Sequence, residues 1–157
     1  MRMKTCLVAF LFVAGSVLPA TAQVKHIQTE GGNIASGVWA GSTFYLSGQL
    51  PTPVTPADRD KGTPAVYGTM EQQAENTFTK IQTALKAQGL GMGDVVMMRV
   101  YMAADKEGKL DFAGMNAAYV KFFGTPEQPN KPARAALQVA ALVAQGALLE
   151  VEVQAAK

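Results

Sequence analysis

The stretch Leu149-Glu-Val-Glu-Val-Gln154 alternates aliphatic and polar side chains without a break. A strand repeats every two residues, so Leu149, Val151 and Val153 line one face and Glu150, Glu152 and Gln154 the other. Such a strand sits in a sheet with one face on a core and the other solvated or covered by a partner. Two helical stripes can supply the core. Met70, Ala74, Phe78, Ile81 and Leu85 step by 4, 4, 3 and 4 over residues 69–88, opened by the capping-box pair Thr69 and Gln72 and closed by Gly89. Phe112, Met115, Tyr119 and Phe122 form a second stripe over about 111–123, ended by Gly124 and Pro126.

Strands fill much of the rest. Val38-Trp-Ala40 and Thr43-Phe-Tyr-Leu-Ser47 flank Gly41-Ser42, which reads as a β-hairpin. Residues 95–103 are β-rich and apolar on both faces, which suits a central strand. Two closing strands are expected near 134–142 and 147–155, around Ala144-Gln-Gly146. Residues 23–36, polar and Gly-rich, read as an arm. Residues 51–64, with four prolines and an Asp-x-x-Lys-Gly turn, read as a long loop. The order β-β-α-β-α-β-β predicts an α+β domain: a single mixed β-sheet with two helices packed on one face.

The first 22 residues are set apart from that domain. Met1-Arg-Met-Lys4 is a basic start, Cys6–Leu18 an apolar run of 13 residues, and Ala20-Thr-Ala22 a small-x-small cleavage site. These are the three parts of a secretory signal, with an apolar run too short to span a bilayer. Cleavage after Ala22 predicts a secreted or periplasmic domain of residues 23–157. Losing Arg2, Lys4 and Cys6, the sole cysteine, leaves 12 basic against 12 acidic residues and no thiol. Disulfides, thiol catalysis and Cys-ligated metal are thereby excluded. Zero net charge offers no electrostatic footprint for nucleic acid or an anionic membrane. His26 is the only histidine, which argues against a His dyad or a His-based metal site.

Arg134, in Lys131-Pro-Ala-Arg134 at the start of a strand, offers a planar fork that binds a carboxylate through two parallel hydrogen bonds. The plainer alternative is a surface arginine at a strand end. Glu150, Glu152 and Gln154, with Arg134 and Gln138 from the preceding strand, make either a wet sheet face or a patch where a carboxylate positions water. If the two closing strands paired as a tight hairpin, Glu150 and Arg134 would lie roughly 13 Å apart, and would share a small ligand only across a subunit boundary. Asn116 sits beside the apolar stripe and is expected to bond a loop backbone. Gly48, in Ser47-Gly-Gln49, permits close approach of a ligand or another chain, or simply ends a strand. Phosphate-cradling Gly loops, HExxH, CxxC and GxSxG do not occur.

Together these pieces resemble the RidA/YjgF family of reactive imine/enamine deaminases. The residues that carry the likeness are Leu46-Ser-Gly-Gln49, Asn76, Leu85-x-x-x-Gly89, Asp94-Val-Val96 and Met115-Asn-x-x-Tyr119-x-x-Phe-Phe123. Most specific is Pro132-Ala-Arg134 followed by Leu142 and Leu149-Glu-Val151. The likeness spans about residues 30–156. It implies a YjgF-like, chorismate mutase-like fold, assembled as a homotrimer with clefts between subunits. By the same resemblance Arg134 clamps the carboxylate of a 2-imino acid and Glu150 positions the attacking water. Ser47, Gly48 and Asn116 shape the pocket, and neither cofactor nor metal takes part. Two positions depart from the family pattern. The pocket tyrosine falls at Ile34, and the cysteine two residues after the arginine is Ala136, where a main-chain amide can serve.

The expected function is therefore hydrolytic deamination of 2-imino or enamine acids to 2-oxo acids and ammonia. A non-catalytic trimer that binds small carboxylates is the alternative suggested by Ile34. A ribonuclease, attributed to some relatives, is disfavoured by the neutral charge and the lack of a base-stacking platform.

Overall fold

The computed structural model describes residues 23–157, so the expected leader over 1–22 lies outside the described residues. The strands are β1 (Val24–Gln28), β2 (Ala35–Ala40), β3 (Thr43–Gln49), β4 (Val95–Met102), β5 (Ala133–Gln138) and β6 (Leu149–Ala156). The helices are α1 (Met70–Ala87) and α2 (Phe112–Tyr119). One mixed sheet runs β1-β2-β3-β6-β4-β5. Among the described strands only the β4–β5 pair is parallel.

The alternation of β6 settles its place. Leu149, Val151, Val153 and Ala155 are buried, and the polar residues between them are half-buried. On the same side lie Phe44 and Leu46 of β3 and Met98, Val100 and Met102 of β4. Helix α1 covers them with Met70, Ala74, Phe78, Ile81 and Leu85, and α2 adds Met115 and Ala118. Phe78 joins the helices, its ring 5.4 Å from Phe122 and edge-on to Tyr119 and Phe123. Burying each such side chain contributes about 1.5–3 kcal/mol. The capping box at Thr69 forms as expected, with the Thr69 hydroxyl accepting from Gln72 N–H and the Gln72 side chain accepting from Thr69 N–H.

Three expectations are corrected. Residues 24–28 are a strand, not an arm. β1 pairs with β2 at the sheet edge, where backbone hydrogen bonds suffice and no apolar alternation is needed. The closing strands, whose pairing the sequence leaves open, are separated by β4, and β5 stops at Gln138, short of 142. The ten-residue stretch 139–148 crosses the end of β4 and places the amphipathic β6 in the middle of the sheet. α2 ends at Tyr119 rather than Phe123. Beyond it, tighter turns with Phe122 N–H and Phe123 N–H both donating to Tyr119 carbonyl bring Phe123 into the core.

The 51–64 segment is more ordered than a plain loop. Thr55 bridges Val66 and Asp58 bridges Thr63, making a short ribbon. The Asp58 carboxylate accepts from Asp60 N–H and Lys61 N–H and pairs with Lys61 ammonium at 2.9 Å, which holds its carboxyl below the usual range. The ribbon's base is fixed to α1, where Asn76 accepts from Thr52 N–H and Lys80 donates to Leu50 carbonyl.

Candidate functional site

Register separates the polar residues into two groups. β4 pairs Met98 with Arg134 on one side and with Val153 on the other. Arg134 therefore belongs to the helix-covered face. Tyr101 pairs with Glu150, Arg99 with Glu152, and Met97 with Gln154, all on the open face. The single patch expected to unite Arg134 and Gln138 with the two glutamates does not form. Ala136 and Gln138, paired with Val100 and Met102, share the register of Arg134 and lie exposed along the β5 edge.

Arg134 and Glu150 are two strands apart and three residues apart along β4, roughly 14 Å between Cα atoms, and they project from opposite faces. They cannot reach one small ligand within a chain.

The Arg134 group is built by α2. The guanidinium carbon lies 4.4 Å from the Tyr119 ring centroid and 5.9 Å from that of Phe112, and one Nη lies 4.0 Å from the Met115 sulfur. Asn116 falls between these residues on the helix surface, four after Phe112 and three before Tyr119. The loop contact expected of Asn116 is not made. Its side chain, half-buried on α2, forms no hydrogen bond with the described residues. Arg134 forms no ion pair with any described residue.

The Glu150 group is built by β3. Leu46 pairs with Val153 but Gln49 with Val151, so three steps on β3 oppose two on β6, a bulge at Ser47-Gly48. Ser47 hydroxyl donates to Ala35 carbonyl at 2.7 Å, locking the bulge to the residue after Ile34. A Cβ at Gly48 would collide with Glu150 Oε1. Glycine is required here for a carboxylate to lie against the backbone. Ile34 is 73% exposed beside this group.

The two glutamates differ in charge balance. Glu152 accepts from Arg99 at 2.7 Å and from Tyr101 hydroxyl at 3.2 Å. Burial and the Glu152 carboxylate raise the Tyr101 phenol above its ordinary pKa. Glu150 forms no ion pair with a described residue. Period-two reasoning treats the acids alike; only the neighbouring strand shows which is neutralised. Sequence reading also missed Gln73. Its buried amide donates to Gly68 carbonyl and accepts from Leu148 N–H, tying α1 to the start of β6.

The chain matches the family model described as Endoribonuclease L-PSP over residues 10–157. It is 33% identical over 123 residues to the 2-iminobutanoate/2-iminopropanoate deaminase of Salmonella typhimurium, covering 75% of this chain and 87% of that protein. A RutC family protein of Pyrococcus horikoshii is 31% identical over 126 residues, covering 80% and 88%. Among solved structures, RidA from the Antarctic bacterium Psychrobacter aligns with TM-score 0.63 at 32% identity, covering 85% of this chain and 99% of that one. Escherichia coli TdcF with bound serine aligns with TM-score 0.63 at 29% identity, covering 85% and 98%. With a family model spanning all the described residues and relatives a third identical over most of their length, this chain belongs to the RidA/YjgF family.

Proposed function

We propose that this chain is a cofactor-independent deaminase of 2-imino acids, active as a homotrimer whose sites form between subunits. The observation that carries the reading is the division of the site. Arg134, with no carboxylate partner among the described residues, and Glu150, with no cationic one among them, stand on opposite faces of one sheet. A neighbouring copy supplies each half with its complement. Arg134 and Asn116 of one subunit hold the substrate carboxylate. Ser47, Gly48 and Glu150 of the next, with the Ala136 main chain beside the arginine, surround the imine.

Glu150 takes a proton from water as the water oxygen bonds to C2 of the imine, and returns it to the imine nitrogen. The C–N bond of the tetrahedral carbinolamine then breaks as its hydroxyl proton passes, through Glu150, to the nitrogen, releasing ammonia and leaving the 2-oxo acid. One imino acid and one water become one oxo acid and one ammonia. Imines hydrolyse unaided, so positioning and a base within reach suffice, and together these supply several kcal/mol. The deaminase named among the relatives and the serine held by TdcF support a small amino-acid-like ligand.

The test is imine hydrolysis coupled to an amino-acid oxidase. The wild type should exceed the buffer rate, and Arg134→Ala should abolish the excess. No acceleration with any imino acid defeats the reading. Ile34 supports a second one, since a tyrosine hydroxyl is missing there: a trimer that binds carboxylates without turnover. Calorimetry with 2-oxobutanoate would then show binding by a protein that gives no acceleration.

We further propose export, with cleavage after Ala22. β1 begins at Val24, so that cut leaves the sheet whole. Mass spectrometry of the exported protein should give a chain starting at Gln23; an intact Met1 start would refute it.

A further inference from the structure

We infer that Tyr119 is a positioning residue for Arg134, holding the guanidinium over the face of its ring so that N–H donors stay open to a carboxylate. This rests on the proposed role of Arg134. An arginine is usually fixed by a carboxylate, which consumes its donors and cancels its charge. Here no described carboxylate lies within ion-pair reach. The contacts are instead an aromatic face at 4.4 Å, a second ring at 5.9 Å and a thioether sulfur at 4.0 Å. A π-face attracts the cation through its quadrupole without consuming the in-plane N–H donors, one of which meets only the weak acceptor of the Met115 sulfur.

The Tyr119 ring is itself fixed. It stacks on Phe123 with centroids 4.9 Å apart and planes 19° apart, and meets Phe78 edge-on. Phe123 is buried. The layers thus run from the core through Phe123 and Tyr119 to Arg134, and then to the ligand. A long side chain on an exposed edge strand acquires the rigidity of the core without an ion pair. Freed from the ring, Arg134 would have to be ordered by the substrate at its own expense in affinity.

The test compares Tyr119→Phe, Tyr119→Leu and a trifluorophenylalanine at 119, which keeps the ring's shape and removes the negative face. Imine hydrolysis is measured for each, with circular dichroism and thermal unfolding as the fold control. Tyr119→Leu and the fluorinated variant should raise KM about 3- to 10-fold while kcat changes less than about twofold. Tyr119→Phe, which keeps the face, should restore the wild-type KM. If Tyr119→Leu does not fold, the fluorinated variant decides alone. Wild-type KM in the fluorinated variant, or equal loss in the Phe variant, overturns the inference while leaving the deaminase reading intact. If the wild type gives no turnover, the deaminase reading falls. Calorimetric Kd for 2-oxobutanoate then replaces KM, with the same ordering expected and absence of binding overturning both.

Discussion

Arg99 and Glu152 meet at 2.7 Å across the β4–β6 pair, and the same carboxylate oxygen accepts from Tyr101. Two residues along β6, Glu150 has neither partner and lies over Gly48. Neighbouring acids on one strand face thus stand in different charge environments. Glu150→Gln should lower kcat at least about 100-fold, the scale of losing a general base. Glu152→Gln should leave kcat within about fivefold and cost no more than about 1 kcal/mol, since both partners are over a third exposed. Steady-state kinetics and urea unfolding separate the two. Equal kinetic losses would refute the division.

Gly48 separates stability from activity. An added Cβ strikes the end of the Glu150 side chain, which can swing aside. Gly48→Ala should therefore unfold within about 1 kcal/mol of the wild type, below the usual cost of overpacking, while losing at least about tenfold in kcat. A large stability loss with kcat preserved would show that the bulge, not the carboxylate, needs the glycine.

The framework was readable because each helix announced its buried face and β6 its two faces. Pairing order was not. Whether Arg134 shares a face with Glu150 depends on β4 standing between β5 and β6, and no local pattern encodes that. The β1 strand carries too few apolar residues to register, and it is held by backbone bonds that any sequence can make. The chemistry of Arg134 marks it as a carboxylate binder or a plain surface arginine, and only the family resemblance chooses between the two. The ring beneath it belongs to the apolar stripe of α2, a pattern that describes the side of Tyr119 facing Phe123 and not the side facing Arg134.

Thr77 is fully buried, and its hydroxyl has no hydrogen-bond partner among the described residues. Valine has the same branched shape without the hydroxyl. Thr77→Val should stabilise the protein by about 1 kcal/mol, the low end of the penalty for an unsatisfied buried hydroxyl. A lower urea midpoint in the variant would reveal a partner. Gln73→Ala should do the reverse, since it strands Gly68 carbonyl and Leu148 N–H. Its expected cost is about 2–4 kcal/mol.

Two phenols titrate above their ordinary value of 10.0. Burial is the larger cause for both; Glu152 adds to it at Tyr101, and Arg134 opposes it at Tyr119. The folded state thus favours the neutral phenol. The associated stability is complete below about pH 10 and is lost as pH rises through the folded-state values. Tyr101→Phe and Tyr119→Phe should each remove one late phenolate step at 295 nm and flatten the fall in unfolding midpoint above pH 10. An unchanged titration curve would contradict the assignment.

The division of the site makes a quantitative prediction about mixtures. In the proposed homotrimer, the Arg134→Ala and Glu150→Gln proteins should both be inactive. When they are denatured together in equal amounts and refolded, each cleft draws its arginine half from one subunit and its glutamate half from the next, as in a head-to-tail ring. The arginine half is intact with probability one half, and so, independently, is the glutamate half. About a quarter of the clefts should be whole, and activity should return to about 25% of wild type. A site contained in one chain would return nothing, because each chain carries one lesion. Mixing without denaturation should also return nothing at first, then recover at the rate of subunit exchange. Zero recovery from a mixture shown by native mass spectrometry to contain mixed trimers would place both halves in one subunit, against the opposite-face geometry of Arg134 and Glu150.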